Sequence, residues 1–381
     1  MTKRVGDIDG LRAVAMTMVI AQHCGLLPFG WIGVWVFYVI SGYVITRGFI
    51  TEDSIFPYIS KFERFKSFLK RRAIRIFPAY FGYIFLTIIT YTLLKGSFSG
   101  FEYWGLLTFT YNWQMILGPI IADHSWPGIG HLWTLSVEQQ FYLFFPILFL
   151  YLPAKIRWHV VLAFVLAGPL IRYLYDIVFV IPNFSDNIGH SAFAIYASSF
   201  CHFDAFLVGA LLAKHEKYLI ENAAVRTKIF LLTALSCLAY LSFYIWVNLG
   251  LGAKGINVLR NIVSGILYGQ ERQLWLYSVI NLATFCVFLL IFTKSSLVNW
   301  LGSKWVSWVG KVSYGGYLLH ILVLWILPEA LGLKLGDGSI AAKLLNFVVV
   351  WVITVTLAGI SFKYYETRIS KKLKKWATPY S

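Results

Sequence analysis

Ten stretches of this chain are apolar and long enough to cross about 30 Å of hydrocarbon, and that repetition confines the fold to a helical bundle in a bilayer. They lie near residues 11–27, 31–46, 76–94, 132–152, 160–180, 192–213, 229–249, 274–292, 309–331 and 341–362. With 59% hydrophobic and only 13% charged residues among 381, lipid rather than water is the main solvent. The 15 Trp and 23 Tyr suit interfacial belts, and some of them suit stacking on a sugar face. Lys3 and Arg4 before an apolar run imitate a secretion signal, but Arg12 interrupts the run and no small-residue cleavage pattern follows, so this segment is expected to stay as a span.

Charge placement gives an orientation. With ten spans and the N-terminus inside, 25 of the 33 Lys and Arg fall on the cytoplasmic side and seven opposite, with Arg12 inside the first span. Segment 104–121 is interrupted by Asn112, Gln114, Gly118 and Pro119, and reads either as a re-entrant piece or as an eleventh span. An eleventh crossing would place 15 downstream positives outside against six inside, so ten spans with both termini cytoplasmic are expected. The fold class expected is all-α, a polytopic membrane bundle over 1–370 followed by a short basic tail, 371–381, that anchors on anionic headgroups. These loops and the tail account for the net charge of +16, so no nucleic-acid partner is expected. Oligomeric state is not legible. Cys24, Cys201, Cys237 and Cys286 are scattered without metal spacing and read as packing residues.

Inside this apolar frame, ionisable residues mark function. Arg12 and His23 stand eleven residues apart in the first run, a separation that returns nearly to one azimuth about 16 Å further along a helix. Glu138 lies in an apolar span, where it stays protonated or meets a cationic partner. His320 and Glu329, nine residues apart, fall on opposite faces and read as structural. Ser41 has neither a nucleophile elbow nor an adjacent base, and Gly42 reads as a point of close helix approach.

Four patterns occur in order. Asp9-Gly10-Leu11-Arg12 precedes His23 by ten intervening residues; Gly33 to Tyr43 is an aromatic run ending Ser41-Gly42-Tyr43; Arg71-Arg72-Ala73-Ile74-Arg75 precedes Pro78; and His131-Leu132-Trp133-Thr134-Leu135-Ser136-Val137-Glu138 precedes Phe141-Tyr142. Weaker echoes at 203–209 and 313–320 extend the likeness over nearly the whole chain. Together these resemble the acyltransferase family 3 membrane proteins, which acylate hydroxyls of extracytoplasmic sugars. One departure is His202, where the family more often has an arginine two residues before the aspartate, here Asp204. Some relatives carry an added extracytoplasmic hydrolase-like domain; this chain ends soon after its last run, so the membrane domain is expected to bind the acceptor and transfer the group unaided.

The resemblance implies an O-acyltransferase of the bacterial inner membrane that moves an acyl group, acetyl in the first instance, from cytosolic acetyl-CoA to a saccharide such as lipopolysaccharide or exopolysaccharide, with no metal. A histidine titrates near neutrality, so His23 is the expected base for the acceptor hydroxyl, with a structural imidazole as the alternative. Glu138 is expected to support His23, or else to pack or form an ion pair. Arg12 polarises the thioester or holds the anionic donor, or else pairs with Asp7 or Asp9. Arg71, Arg72 and Arg75 capture the donor's phosphates, or else only satisfy topology. A transporter is the rival from another class, because such residues also build solute pathways, although no internal duplication is visible. An acyltransferase for a secreted small molecule is a further alternative, and direct transfer and an acyl-histidine intermediate both stay open.

Overall fold

The computed structural model describes residues 2–95, 102–121, 128–259, 262–263, 268–331 and 338–374. Among these residues every regular element is a helix. In chain order the α-helices are α1 (Thr2–His23), α2 (Ile32–Ile55), α3 (Lys61–Lys95), α4 (Glu102–Leu107), α5 (Tyr111–Ile121), α6 (Trp133–Tyr151), α7 (Ala154–Leu166) and α8 (Gly168–Tyr175). They continue with α9 (Ile181–Phe184), α10 (Ile188–Ala197), α11 (Phe203–Glu221), α12 (Ala223–Gly250), α13 (Arg272–Phe292), α14 (Lys304–Leu331), α15 (Ile340–Ser361) and α16 (Thr367–Lys374).

Six of the described helical segments are long and apolar enough to cross a membrane, and the bent pair formed by α7 with the segment Gly168–Phe184 makes seven. The ten-span expectation is not met by that measure, for three local reasons. Run 11–27 outlasts α1, which ends at His23 and whose 22 residues also hold Asp7, Asp9 and Arg12. Run 132–152 lies in α6, only 19 residues long and polar at Glu138, Gln139 and Gln140. Run 192–213 is not one helix: α10 ends at Ala197, Ser198 is extended with ψ 127°, and α11 starts at Phe203. Run 160–180 also breaks, by 58° near Ala167. Segment 104–121 folds as the short α4 and α5, and eleven residues rise only about 16 Å, half a bilayer.

Helix α2 is largely buried between Gly33 and Thr46, packed on α1 and most closely on α11. Two glycines make that approach: a Cβ on Gly42 would stand 1.8 Å from the Phe206 carbonyl oxygen, and one on Gly209 would stand 2.1 Å from that of Val39. Lipid gives no hydrophobic drive between helices, so backbone proximity of this kind is a main source of their association. Gly42→Leu is therefore expected to cost about 1–3 kcal/mol or to prevent assembly, read as loss of monodisperse protein in detergent. Gly48→Leu on the same helix, where nothing lies within 4 Å of a built Cβ, is the control that should behave as wild type.

A fully buried ion pair stands at the start of α11. Arg172 of α8 donates to Asp204 at 2.9 Å, to the carbonyls of Cys201 at 2.9 Å and Leu274 at 3.0 Å, and to the Ser278 hydroxyl at 2.7 Å. His202 instead bonds the Ile195 carbonyl at 2.8 Å and stands edge-on to Trp35. Thus Asp204 finds its guanidinium in another helix.

Candidate active site

Helix α1 carries Arg12 at mid-length and His23 as its last residue. Arg12 donates to Asp9 at 3.0 Å, the i,i+3 ion pair that the spacing allowed. The same guanidinium also lines two adjoining spaces, a central cavity of about 90 Å³ and a basic groove of about 730 Å³, so the ion pair and a ligand-facing role coexist.

Helix α3 supplies the other cations of the groove. All three lie within about 100° of azimuth on α3, with Arg75 between Arg71 and Arg72. Arg72 and Arg75 line both spaces, while Arg71 lines only the groove, held there by donating to Ser67 at 2.6 Å and standing 3.4 Å from Glu52. Arg72 lies over the rings of Tyr142 at 5.3 Å and Phe68 at 5.4 Å. Among the described residues no carboxylate comes within ion-pair distance of Arg72 or Arg75, so two guanidinium groups bordering this space are free to take an anion.

Glu138 projects from α6 into the central cavity, where its Oε1 accepts hydrogen bonds from Ser41 at 2.9 Å and from Tyr142. Ser41 and Tyr142 are themselves 2.7 Å apart, closing a triangle. Hydroxyl donors rather than imidazole therefore satisfy this carboxylate, with Arg72 lining the same cavity.

His23, exposed at the end of α1, opens instead on a third space of about 490 Å³. Its ring is 5.2 Å from that of His320, which in turn is 5.1 Å from that of His131, so three imidazoles from α1, α14 and the turn before α6 cluster here. The backbone orients two of them: His320 Nδ1 lies 2.6 Å from the Tyr317 carbonyl, and His131 Nε2 lies 3.1 Å from that of Leu318.

Arg12, Glu138, Arg72 and Arg75 thus share one cavity, while His23 does not meet Glu138; its neighbour is His320. The reason is axial: Glu138 follows His131 by seven residues, about 10 Å along α6, which carries the carboxylate past the imidazoles. The side chain of Glu329 lies outside the described residues. The contribution of His320 was missed because a lone histidine in an apolar helix also reads as core. Its only sequence signal was the 313–320 echo.

The three spaces adjoin one another through common walls. The groove and central cavity share Arg12, Val44, Arg72 and Arg75, and the central and histidine cavities share Val34, Thr134 and Tyr317. Tyr317 OH and Thr134 Oγ1, 2.7 Å apart, belong to the partition between the last two.

A helical membrane protein with a guanidinium-lined groove leading to a histidine cluster is the class that these observations define. A family model described as an acyltransferase domain matches residues 5–363, and the chain belongs to that family, acyltransferase family 3. Similar proteins include O-acetyltransferase OatA of Staphylococcus aureus strain NCTC 8325, 26% identical over 386 residues that cover 96% of this chain and 57% of the relative. A Staphylococcus aureus MRSA252 protein with a provisional O-acetyltransferase name is 24% identical over 385 residues, covering 98% of this chain and 59% of the relative. The chain therefore spans less than three fifths of the length of these relatives. No solved structure matches it.

Proposed function

We propose that this protein is a membrane O-acetyltransferase that takes an acetyl group from cytosolic acetyl-CoA and delivers it to a hydroxyl of an extracytoplasmic saccharide. The observation that carries the reading is the succession of three adjoining spaces from the arginine groove to the histidines. In the topology that the charge bias favours, the groove opens to the cytosol and His23 lies toward the other side. The guanidinium groups of Arg72 and Arg75, which have no carboxylate partner among the described residues, suit a phosphorylated donor, whose narrow thioester arm would reach through the central cavity.

At the far end, His23 removes the proton from the acceptor hydroxyl. The alkoxide oxygen bonds to the thioester carbonyl carbon, the carbon–sulfur bond breaks, and the departing thiolate recovers the proton from the imidazole. Arg12 and the Ser41–Glu138–Tyr142 triangle line the path between groove and histidines and hold the donor there.

The test supplies membranes with labelled acetyl-CoA and follows label into base-labile ester on cell-envelope glycan. Arg72→Ala is expected to raise KM for acetyl-CoA by roughly tenfold or more, the loss of a charge-assisted hydrogen bond. Because adjoining cavities also suit solute passage, a protein that moves a polar solute but never transfers label would instead be a transporter. Label trapped on His23 would favour the two-step route.

A further inference from the structure

His131 is well buried, 7% exposed, in the turn that leads into α6. A carbonyl oxygen only accepts, so the 3.1 Å contact with Leu318 places the ring hydrogen on Nε2 and leaves Nδ1 as a bare lone pair in the neutral ring. That Nδ1 is buried without a hydrogen-bond partner among the described residues, and His131 lines the cavity that holds His23. Gln22, one residue before His23, lines the same cavity, and its Oε1 is likewise buried and unpartnered. Two unsatisfied acceptors beside one base select the ligand's chemistry. An anion offers them nothing, whereas a polyol donates to both. The walls include Trp31, Trp133 and Tyr196, the aromatic residue types on which sugar rings pack.

Building on the acyltransferase reading above, we propose that His131 Nδ1 and Gln22 Oε1 bind neighbouring hydroxyls of the acceptor and so select which hydroxyl meets His23. His131 is then a substrate-binding residue, distinct from the base.

Three variants of the full chain in membranes test this, with de-O-acylated cell-envelope glycan titrated by hexose content as the probe. His131→Gln keeps a donor near the Nε2 position for the Leu318 carbonyl and removes the Nδ1 acceptor; it is expected to raise the half-saturating glycan concentration by about tenfold with KM for acetyl-CoA unchanged. His131→Asn puts an amide oxygen near the Nδ1 position and is expected to recover most of that loss. Gln22→Met should weaken glycan saturation in the same direction. If wild type transfers label while His131→Gln saturates as wild type does, or if the Gln and Asn variants are equally impaired, the assignment of His131 is overturned and the enzyme reading stands. If wild type transfers none, the enzyme reading itself fails and this inference with it.

Discussion

His23→Ala is expected to lower acetyl transfer by about 10²–10⁴-fold, the usual contribution of a positioned general base. The expectation rests on place as well as residue type: His23 is exposed at the end of α1 in the space next to the central cavity, with the tilted ring of His320 5.2 Å away. Because the arginine groove is remote from this position, the variant should still saturate with acetyl-CoA at wild-type concentrations. Single-turnover transfer from labelled acetyl-CoA separates the two effects. A variant that transfers at full rate would remove His23 from the proton path, and the bare Nδ1 of His131 would become the base to test next.

The second large effect concerns assembly. Asp204→Ala leaves the guanidinium of Arg172, 0% exposed, without its carboxylate, and breaking such a pair from one side costs about 3–5 kcal/mol because a buried charge is stranded. Thermal melts of the detergent-solubilised protein should show a marked loss, with a smaller loss for Asp204→Asn, which keeps an oxygen for Arg172. A melt unchanged in Asp204→Ala would mean that the carbonyls of Cys201 and Leu274 suffice for the guanidinium.

How far the sequence revealed this site follows from the range of each interaction. One unbroken helix containing Arg12 and His23 is legible in the sequence, although the eleven positions between them, about 16 Å, open them on different spaces and not on one common interior. By contrast, the breaks at Ala167 and over 198–202 are invisible to apolarity, since a kinked run and a straight one share a composition. The partner of Glu138 is not legible for a related reason: a half-buried carboxylate needs donors, and an imidazole and a pair of hydroxyls meet that need equally well. His131 and His320 lie 189 positions apart and meet only through the packing of α14, which no local pattern encodes.

The partition that includes Thr134 and Tyr317 has an electrical consequence. In the proposed topology, this hydrogen-bonded pair and Val34 belong to the wall between a cavity reached from the cytosol and a cavity reached from outside. An energised membrane loses its proton gradient through any continuous file of water, so that wall acts as an insulator, and the acyl group must cross it without opening a leak.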